Sequence, residues 1–455
     1  MKLPIPARDG CVPTSGGGWF FMAKKAMLTR LRIDYALVIS FIILVVVGVL
    51  TIYSAGGDSK QHIRQIYWAV TGIVIFILML LVNYHKMGEY AFFIYLAGIL
   101  MLIMVLLIGK RVRGAKSWIT VASGFGFQPS EFVKITVIIA LARFLERIGD
   151  DIKNLKNVII ALLISLFPMG LILLQPDFGT ALVYLPVCLI MLFFAGIKYT
   201  HLVSLLIIFG IAVVLPLLTT FSKLTHTRML TFLQVLDDTK IVFLIALMFG
   251  VLSGIMFIIY RITNKSLLYK ASTVFIIFFS GLILAAPLGR LLKPYQKERL
   301  IVFLRPTIDP FGSGYNIIQS KIAVGAGGLF GRGLLGGTQS QLGFLPERST
   351  DFIFSIYAEA WGFIGSLLLL AIYGLFIFRG IMIIYNGRDR FSFLLASGIM
   401  GMFLFHIIIN VGMTIGIMPV TGIPLPFLSY GGSFLLTCIV AVSILSNIEM
   451  RRYTH

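Results

Sequence analysis

Apolar runs of about 20 residues recur along this chain between short polar loops, and that spacing admits few folds. A run of that length crosses ~30 Å of hydrocarbon as a helix. Hydrocarbon offers backbone N–H and C=O groups no partner, so only helices and closed barrels span it. The runs are continuously apolar, not alternating as barrel strands must be, so helices are predicted. Composition agrees: 12% of the 455 residues are charged, against about 25% in a soluble domain. The expected fold is an all-α polytopic integral membrane protein. Twelve transmembrane helices are predicted near 34–55, 65–83, 90–109, 131–147, 156–175, 178–197, 200–220, 241–261, 271–291, 353–378, 392–413 and 430–448.

Sidedness follows from the basic residues. Lys24, Lys25, Arg30 and Arg32 precede the first run and Arg451 and Arg452 follow the last, so an even number of spans leaves both termini cytoplasmic. Residues 1–33, with Pro4, Pro6, Pro13 and Gly16-Gly17-Gly18, read as a disordered cytoplasmic tail. They are no cleavable signal, because the apolar run behind them is too long and lacks a small-residue cleavage site. Residues 451–455 form a short cytoplasmic tail at the other end. The net charge of +20 collects beside the spans, which points to anionic lipid and away from nucleic acid. Cys11, Cys188 and Cys438 have neither metal nor redox spacing.

Two predicted outside loops are basic against this trend. Gly109–Ser130 holds Lys110, Arg111, Arg113 and Lys116 with no acid. The stretch Arg290–Thr350 holds Arg290, Lys293, Lys297, Arg299, Arg305, Lys321, Arg332 and Arg348 against Glu298, Asp309 and Glu347. Long loops translocate regardless of charge, which is one account of the bias. The other is an outward-facing site for a membrane-borne phosphate or diphosphate, and a loop of that length is usually functional. Lys116, Arg299 and Lys321 are the candidates for holding the diphosphate.

Three ordered motifs carry a family likeness. They are Gln128-Pro129-Ser130-Glu131 with Lys134, then Gly336-Gly337-Thr338-Gln339-Ser340-Gln341 through Phe344-Leu345-Pro346-Glu347 to Thr350-Asp351-Phe352, and Pro424-Leu425-Pro426-Phe427-Leu428-Ser429-Tyr430-Gly431-Gly432-Ser433. Together they closely resemble the SEDS family (shape, elongation, division and sporulation proteins) over roughly 34–450. The Gly-Thr-Gln-Ser-Gln stretch and Asn410-Val411-Gly412-Met413 stand nearer the elongation member than the division member. The resemblance implies an inverting peptidoglycan glycosyltransferase in the bacterial cytoplasmic membrane. Such enzymes polymerise lipid II, a disaccharide-pentapeptide on undecaprenyl diphosphate, at the outer face. They work with a class B penicillin-binding transpeptidase and other proteins of the cell-elongation complex. A division-type polymerase and a lipid II flippase are the alternatives. The chain departs from the family in two respects. Helices at 241–291 look like a pair inserted into a ten-span core ahead of the large loop 292–352, and Ser349 stands where members often carry His.

Glycosyl transfer needs a base near the acceptor hydroxyl and positive charge for the departing diphosphate. Of the 18 acidic residues, Asp9, Asp34, Glu89, Glu146, Asp150, Asp151, Asp389 and Glu449 fall on the cytoplasmic side. Asp58, Asp237 and Asp238 sit in short polar loops, and Glu298 and Asp309 read as salt-bridge partners among bases. Glu131, Asp177, Glu347, Asp351 and Glu359 are left. Asp351 stands where the large loop re-enters the membrane, a position that suits a helix N-cap as well as a catalytic group. The family match implies that it is the catalytic aspartate. Desolvation at the hydrocarbon edge raises a carboxyl pKa, which suits a general base. Equally, Asp351 could ligate Mg²⁺ or Mn²⁺ against the diphosphate. Glu347 reads as a substrate contact or as a salt-bridge partner of Arg348. Glu131 and Lys134, three apart on one helix, form either a self-neutralised pair or a membrane-embedded substrate site. Asp177 reads as the cap of a hairpin, and Glu359 as structural or functional in equal measure.

Gly331-Arg332-Gly333-Leu334-Leu335-Gly336 matches a dinucleotide fingerprint in letters only, with no strand before it and no βα unit around it. No nucleotide or organic cofactor is expected; the glycines let the loop fold tightly. His226 and His406 lack acidic or cysteine partners in sequence and read as packing or loop residues.

Overall fold

The computed structural model describes residues 33–452 except 57–59, 113–114, 122–124, 226–235, 237, 292–296, 298–301, 304–311 and 313. All of the expected N-terminal tail but Ile33, and also Arg299, lie outside the described residues. Helices α1 (Tyr35–Ser54) and α2 (Gln61–Leu81) form a first hairpin, and a short α3 (Tyr84–Glu89) leads into α4 (Ala91–Ile108). A small antiparallel sheet follows, β1 (Lys110–Val112), β2 (Ala115–Val121) and β3 (Phe125–Phe127), paired in that order. Then come α5 (Pro129–Ile148), α6 (Leu155–Leu174), α7 (Phe178–Leu182), α8 (Tyr184–Phe194), α9 (Tyr199–Thr225), α10 (Thr239–Thr263) and α11 (Ser266–Leu291). Helices α12 (Tyr315–Ala326) and α13 (Thr338–Gln341) lie in the large loop. The chain ends with α14 (Ile353–Asn386), α15 (Arg390–Thr414) and α16 (Gly432–Met450).

Among the described residues, 10 helices are long and apolar enough to cross a membrane: α1, α2, α4, α6, α9, α10, α11, α14, α15 and α16. The expected count of twelve is not confirmed on length and apolar character alone. The run at 131–147 does form α5, but Glu131, Lys134, Arg143, Glu146 and Arg147 make it too polar to qualify. The run at 178–197 is short and divided into α7 and α8. The sheet is a second departure from the all-helical expectation. Its central strand is Ala115-Lys116-Ser117-Trp118-Ile119-Thr120-Val121, rich in the β-branched and aromatic residues that strands favour.

Helix α16 is almost wholly buried and α15 largely so, whereas α2, α9 and α10 turn most of their length outward to lipid. Small residues let the central helices approach. A Cβ on Gly398 would lie 2.7 Å from Ile138 and 2.6 Å from Met191, and one on Gly401 would lie 3.0 Å from Ile190. Helices α9 to α11 make a side bundle with a core of their own, Val242, Ala246 and Leu282 packed by Ile211, Leu215 and Phe249. Across α10 and α11, Ser253 and Ser272 each donate to the other's carbonyl at 3.0 Å. At the end of the bundle remote from α14's start, the Arg379 guanidinium donates to buried Asp34 through Nε at 2.8 Å and through Nη2. Asp34 also caps α1 by accepting from Leu37 N–H at 3.0 Å.

Helix α14 is interrupted at Gly362, whose φ of 67° and ψ of −164° lie outside helical space. The break removes the two i to i−4 hydrogen bonds that would join 363 to 359 and 364 to 360. The glycine-rich loop supplies all four missing partners. Phe363 N–H donates to Gly328 O at 2.8 Å and Ile364 N–H to Leu329 O at 3.1 Å, while Arg332 N–H and Gly333 N–H donate to Glu359 O and Ala360 O at 3.0 Å each. Side chains would forbid the approach: a Cβ on Gly331 would stand 2.2 Å from Ala360 O, and one on Gly362 2.3 Å from Gly331 N. Gly362→Ala is therefore expected to destabilise the protein by about 2 kcal/mol or more. Gly374→Ala on the same helix has nothing within 4 Å of the new methyl group and is expected to be neutral or stabilising by up to ~1 kcal/mol. Thermal unfolding of both variants in detergent checks the contrast.

Candidate functional site

Four distant stretches of chain meet in a cleft of about 500 Å³ at the end of the bundle where α14 and α16 begin. Gln128 and Glu131 line it from the start of α5, Asp177 and Thr180 from the start of α7, and Glu347, Thr350 and Asp351 from the approach to α14. Val420, Thr421, Gly422, Pro424, Tyr430, Gly431, Ser433 and Phe434 add to the lining, with Ser117 and Trp118 of β2 and Gln61 at the start of α2.

The approach to α14 turns on Glu347, which has a φ of 54°. Its carbonyl accepts from the N–H groups of Thr350 and Asp351 at 3.2 Å and of Phe352 at 3.3 Å. The capping position of α14 falls on Phe352, so Asp351 stands one residue outside the helix and not at its cap. The Asp351 side chain is half-buried, and Oδ2 lies 3.3 Å from where a Cβ on Gly422 would be. Gly422 has a φ of 73°, a backbone state that glycine adopts without strain. Buried Asn410 on α15 pins both partners: its Nδ2 donates to Asp351 O at 2.8 Å and to Ile423 O at 2.7 Å. The Glu347 carboxylate accepts from Thr350 Oγ1 at 3.1 Å.

The 419–431 segment is broken by Pro419, Pro424 and Pro426, so its polar backbone groups need partners from elsewhere. Ser429 Oγ accepts from Leu425 N–H at 2.8 Å and donates to Thr350 O at 2.6 Å. Gln65 of α2 donates to Ser429 O at 3.2 Å, Tyr430 N–H donates to Ser349 O at 2.8 Å, and the Tyr373 hydroxyl donates to Pro426 O. All but the internal Leu425–Ser429 bond tie the segment to a helix or to the turn that carries Asp351.

A second wall faces this one. Asp177 caps α7 by accepting from Thr180 N–H at 3.2 Å, and its Oδ2 also accepts from Gln128 Nε2 at 2.6 Å and Thr180 Oγ1 at 3.0 Å. Burial first, and then the negative charge of Glu131, push the Asp177 carboxyl above the ordinary aspartate range despite the donors on Thr180. Glu131 is ion-paired to Lys134 at 2.8 Å, both side chains nearly inaccessible. Lys134 Nζ is also 3.3 Å from His406 Nε2, and His406 Nδ1 is 3.0 Å from Pro424 O.

Of the residues singled out from sequence, Asp351, Glu347 and Glu131 line the cleft, and Lys134 lies directly behind Glu131. Lys116 is on β2 beside cleft-lining Ser117, with its side chain outside the described residues. Lys321 is exposed on α12 and lies over Gly416, away from the lining residues. Glu359 is fully buried elsewhere and accepts from Gln339 N–H at 2.9 Å near the start of α13. Sequence reasoning kept Asp177 among the candidate acids but favoured a hairpin cap. The neighbouring Gly179, whose Cβ would lie 2.6 Å from Thr421 O, is the local signal that the 419–431 segment packs there. No group of three or more His, Cys, Asp or Glu able to hold a metal occurs among the described residues.

The family model described as "Cell cycle protein", covering FtsW, RodA and SpoVE, matches residues 31–242 and 245–454. The peptidoglycan glycosyltransferase RodA of Treponema pallidum is 42% identical over 437 residues, covering 92% of this chain and 98% of that protein. The peptidoglycan glycosyltransferase MrdB of Escherichia coli K12 is 33% identical over 432 residues, covering 94% and 96%. Among solved structures, a chain of a peptidoglycan synthase complex superposes with a TM-score of 0.69 at 27% identity, covering 93% of this chain and 100% of that one. The rod shape determining protein RodA of Thermus thermophilus superposes with a TM-score of 0.59 at 25% identity, covering 93% and 98%. With its motifs gathered at one cleft and the match running almost end to end, this chain belongs to the FtsW/RodA/SpoVE family of multi-pass membrane proteins.

Proposed function

We infer that this chain is a peptidoglycan glycosyltransferase of the elongation type, polymerising lipid II at the outer face of the bacterial cytoplasmic membrane. One observation carries the reading: the Asp351 carboxyl lines a cleft of about 500 Å³, within the size range of small-ligand sites, where all three groups of motif residues converge or abut. Relatives bearing that activity by name cover nearly the whole chain. Sidedness is inferred from charge. The end opposite the cleft carries Lys153, Lys156, Lys198, Arg261, Lys265, Arg388 and Arg390, a basic bias that supports reading it as cytoplasmic. A class B transpeptidase is the proposed partner, since the superposed structure at a TM-score of 0.69 is a peptidoglycan synthase complex.

Asp351 accepts the proton of the acceptor sugar's 4-hydroxyl as that oxygen attacks the anomeric carbon of the growing strand. The new C–O bond forms on the face opposite the one from which undecaprenyl diphosphate departs, so the centre inverts. Asn410 and the Glu347 turn fix the Asp351 backbone, which keeps its carboxylate in place without help from a helix cap. Mg²⁺ or Mn²⁺ suits the donors present, because such ions take one or two carboxylates and complete their shell with phosphate oxygens and water. Asp351 with Glu347 would hold it, and its charge would offset that of the leaving diphosphate.

Purified protein with its transpeptidase partner is expected to convert lipid II to long glycan, and Asp351→Ala to lower the rate by about 10²-fold or more. Glycan from the variant at the wild-type rate would remove the assignment; transport of lipid II without polymerisation would make the chain a flippase. Chelation of divalent cations is expected to stop polymerisation and added Mg²⁺ or Mn²⁺ to restore it, measured as glycan length on gels. Lys134→Met, which strands the buried Glu131 charge, is expected to cost about 3–5 kcal/mol of stability. Adding Glu131→Gln should recover much of that stability but not the polymerisation, a contrast read by unfolding and by glycan assay together.

A further inference from the structure

Buried His406 is used by none of the chemistry above, yet it sits between two parts of the site. It lies on α15 one helical turn before Asn410, so both side chains project from one face of the helix toward the 419–431 segment. Asn410 holds Ile423 O and Asp351 O, and His406 holds the next carbonyl, that of Pro424, at 3.0 Å through Nδ1. A carbonyl only accepts, so Nδ1 carries the ring proton. The other nitrogen, Nε2, faces the Lys134 ammonium at 3.3 Å, and an ammonium only donates, so Nε2 presents its lone pair. Both neighbours thus select one neutral tautomer, and the ring spans the gap between an ammonium on α5 and a carbonyl of the 419–431 segment. The Phe434 ring, 5.0 Å from the imidazole and 5.3 Å from Lys134 Nζ, packs against both.

Resting on the reading of Asp351 as the catalytic carboxylate, we propose that His406 is a positioning residue that couples the Glu131–Lys134 pair to the segment against which Asp351 is set. Gly422, two residues before Pro424, faces the Asp351 carboxylate, whose Oδ2 is 3.3 Å from where a Cβ would stand, and a Cβ on Gly179 in the opposite wall would lie 2.6 Å from Thr421 O and 3.0 Å from Gly422 O. Fixing Pro424 O from α15 therefore fixes the height of Gly422 between the two walls. Loss of the tether lets the segment shift, and the Asp351 carboxylate loses its register with Glu131 across the cleft. Glutamine can replace the ring's function, since its NH₂ donates to Pro424 O while its carbonyl oxygen accepts from Lys134. Phenylalanine fills the space and does neither.

The test compares His406→Phe and His406→Gln with wild type in the complex with the transpeptidase, using lipid II as substrate. Expected for His406→Phe are a fall in kcat of at least tenfold with KM within twofold, and faster amide hydrogen exchange in the peptide covering 420–429. Expected for His406→Gln are kcat within threefold of wild type and wild-type exchange. An unchanged kcat or unchanged exchange in His406→Phe overturns the proposal, as does a glutamine variant as slow as the phenylalanine one. Should His406→Phe not fold, His406→Leu carries the same comparison, and failure of both to fold makes His406 a core residue and ends the proposal. Exchange is read without turnover, so a wild-type protein that makes no glycan would defeat the functional reading while leaving the tether itself measurable.

Discussion

A backbone N–H or C=O without a partner inside a bilayer costs several kcal/mol, and the architecture of this protein is organised around two places where helices stop short of supplying one. At Gly362 the hydrogen-bond ladder of α14 is interrupted and the glycine-rich loop provides a matched set of two acceptors and two donors. At 419–431 three prolines forbid a helix, and side chains of Gln65, Tyr373, His406 and Asn410 reach in from three different helices to hold its carbonyls. Irregular backbone is tolerated here because protein encloses it, and enclosure is what gives the cleft a fixed floor.

The two walls of the cleft divide the chemistry between them. On one side, half-buried Asp351 lines the cleft with its backbone carbonyl held by Asn410. On the other, the negative charge of Glu131 is balanced from behind by Lys134, and Asp177 is wrapped by Gln128 and Thr180. A phosphate-bearing ligand would meet an uncompensated repulsion from several bare carboxylates. Pairing and hydrogen bonding of the second wall lower that repulsion without removing the polar surface.

Much of this was legible in the sequence, for identifiable reasons. Run length alone marks the spanning helices, because the bilayer sets one ruler for all of them. Two runs depart from that ruler beside the site: α5 carries Glu131 and Lys134 inside, and α7 breaks from α8 just after the Asp177 turn. The sheet at 110–127 is hard to see in sequence because its strands are short and lie among basic loop residues, although Trp118-Ile119-Thr120-Val121 is strand-like. Asp351 was found through the motif around it, whereas its escape from the cap position depends on the Glu347 turn, which no spacing rule reveals. Asp177 was read as a cap and it is one; that the same carboxylate also faces the cleft depends on partners that chain proximity does not announce. His406 shows the limit most clearly. An isolated histidine in an apolar run gives no hint that a lysine 272 positions away and a carbonyl 18 positions away converge on it.

The contributors to the cleft are spread from Gln61 in α2 to Phe434 in α16. Gln128 N–H takes its partner from Ser433 Oγ at 3.0 Å, and Gln65 takes its partners from Ser429 and Gly431. A chain emerging from the ribosome therefore has neither floor nor second tether until its final hairpin is threaded into the middle of helices already in the membrane. Synthesis order becomes a safeguard: truncated or stalled chains contain most of the apolar mass yet enclose no reaction chamber, and competence arrives in one step with the closing helix.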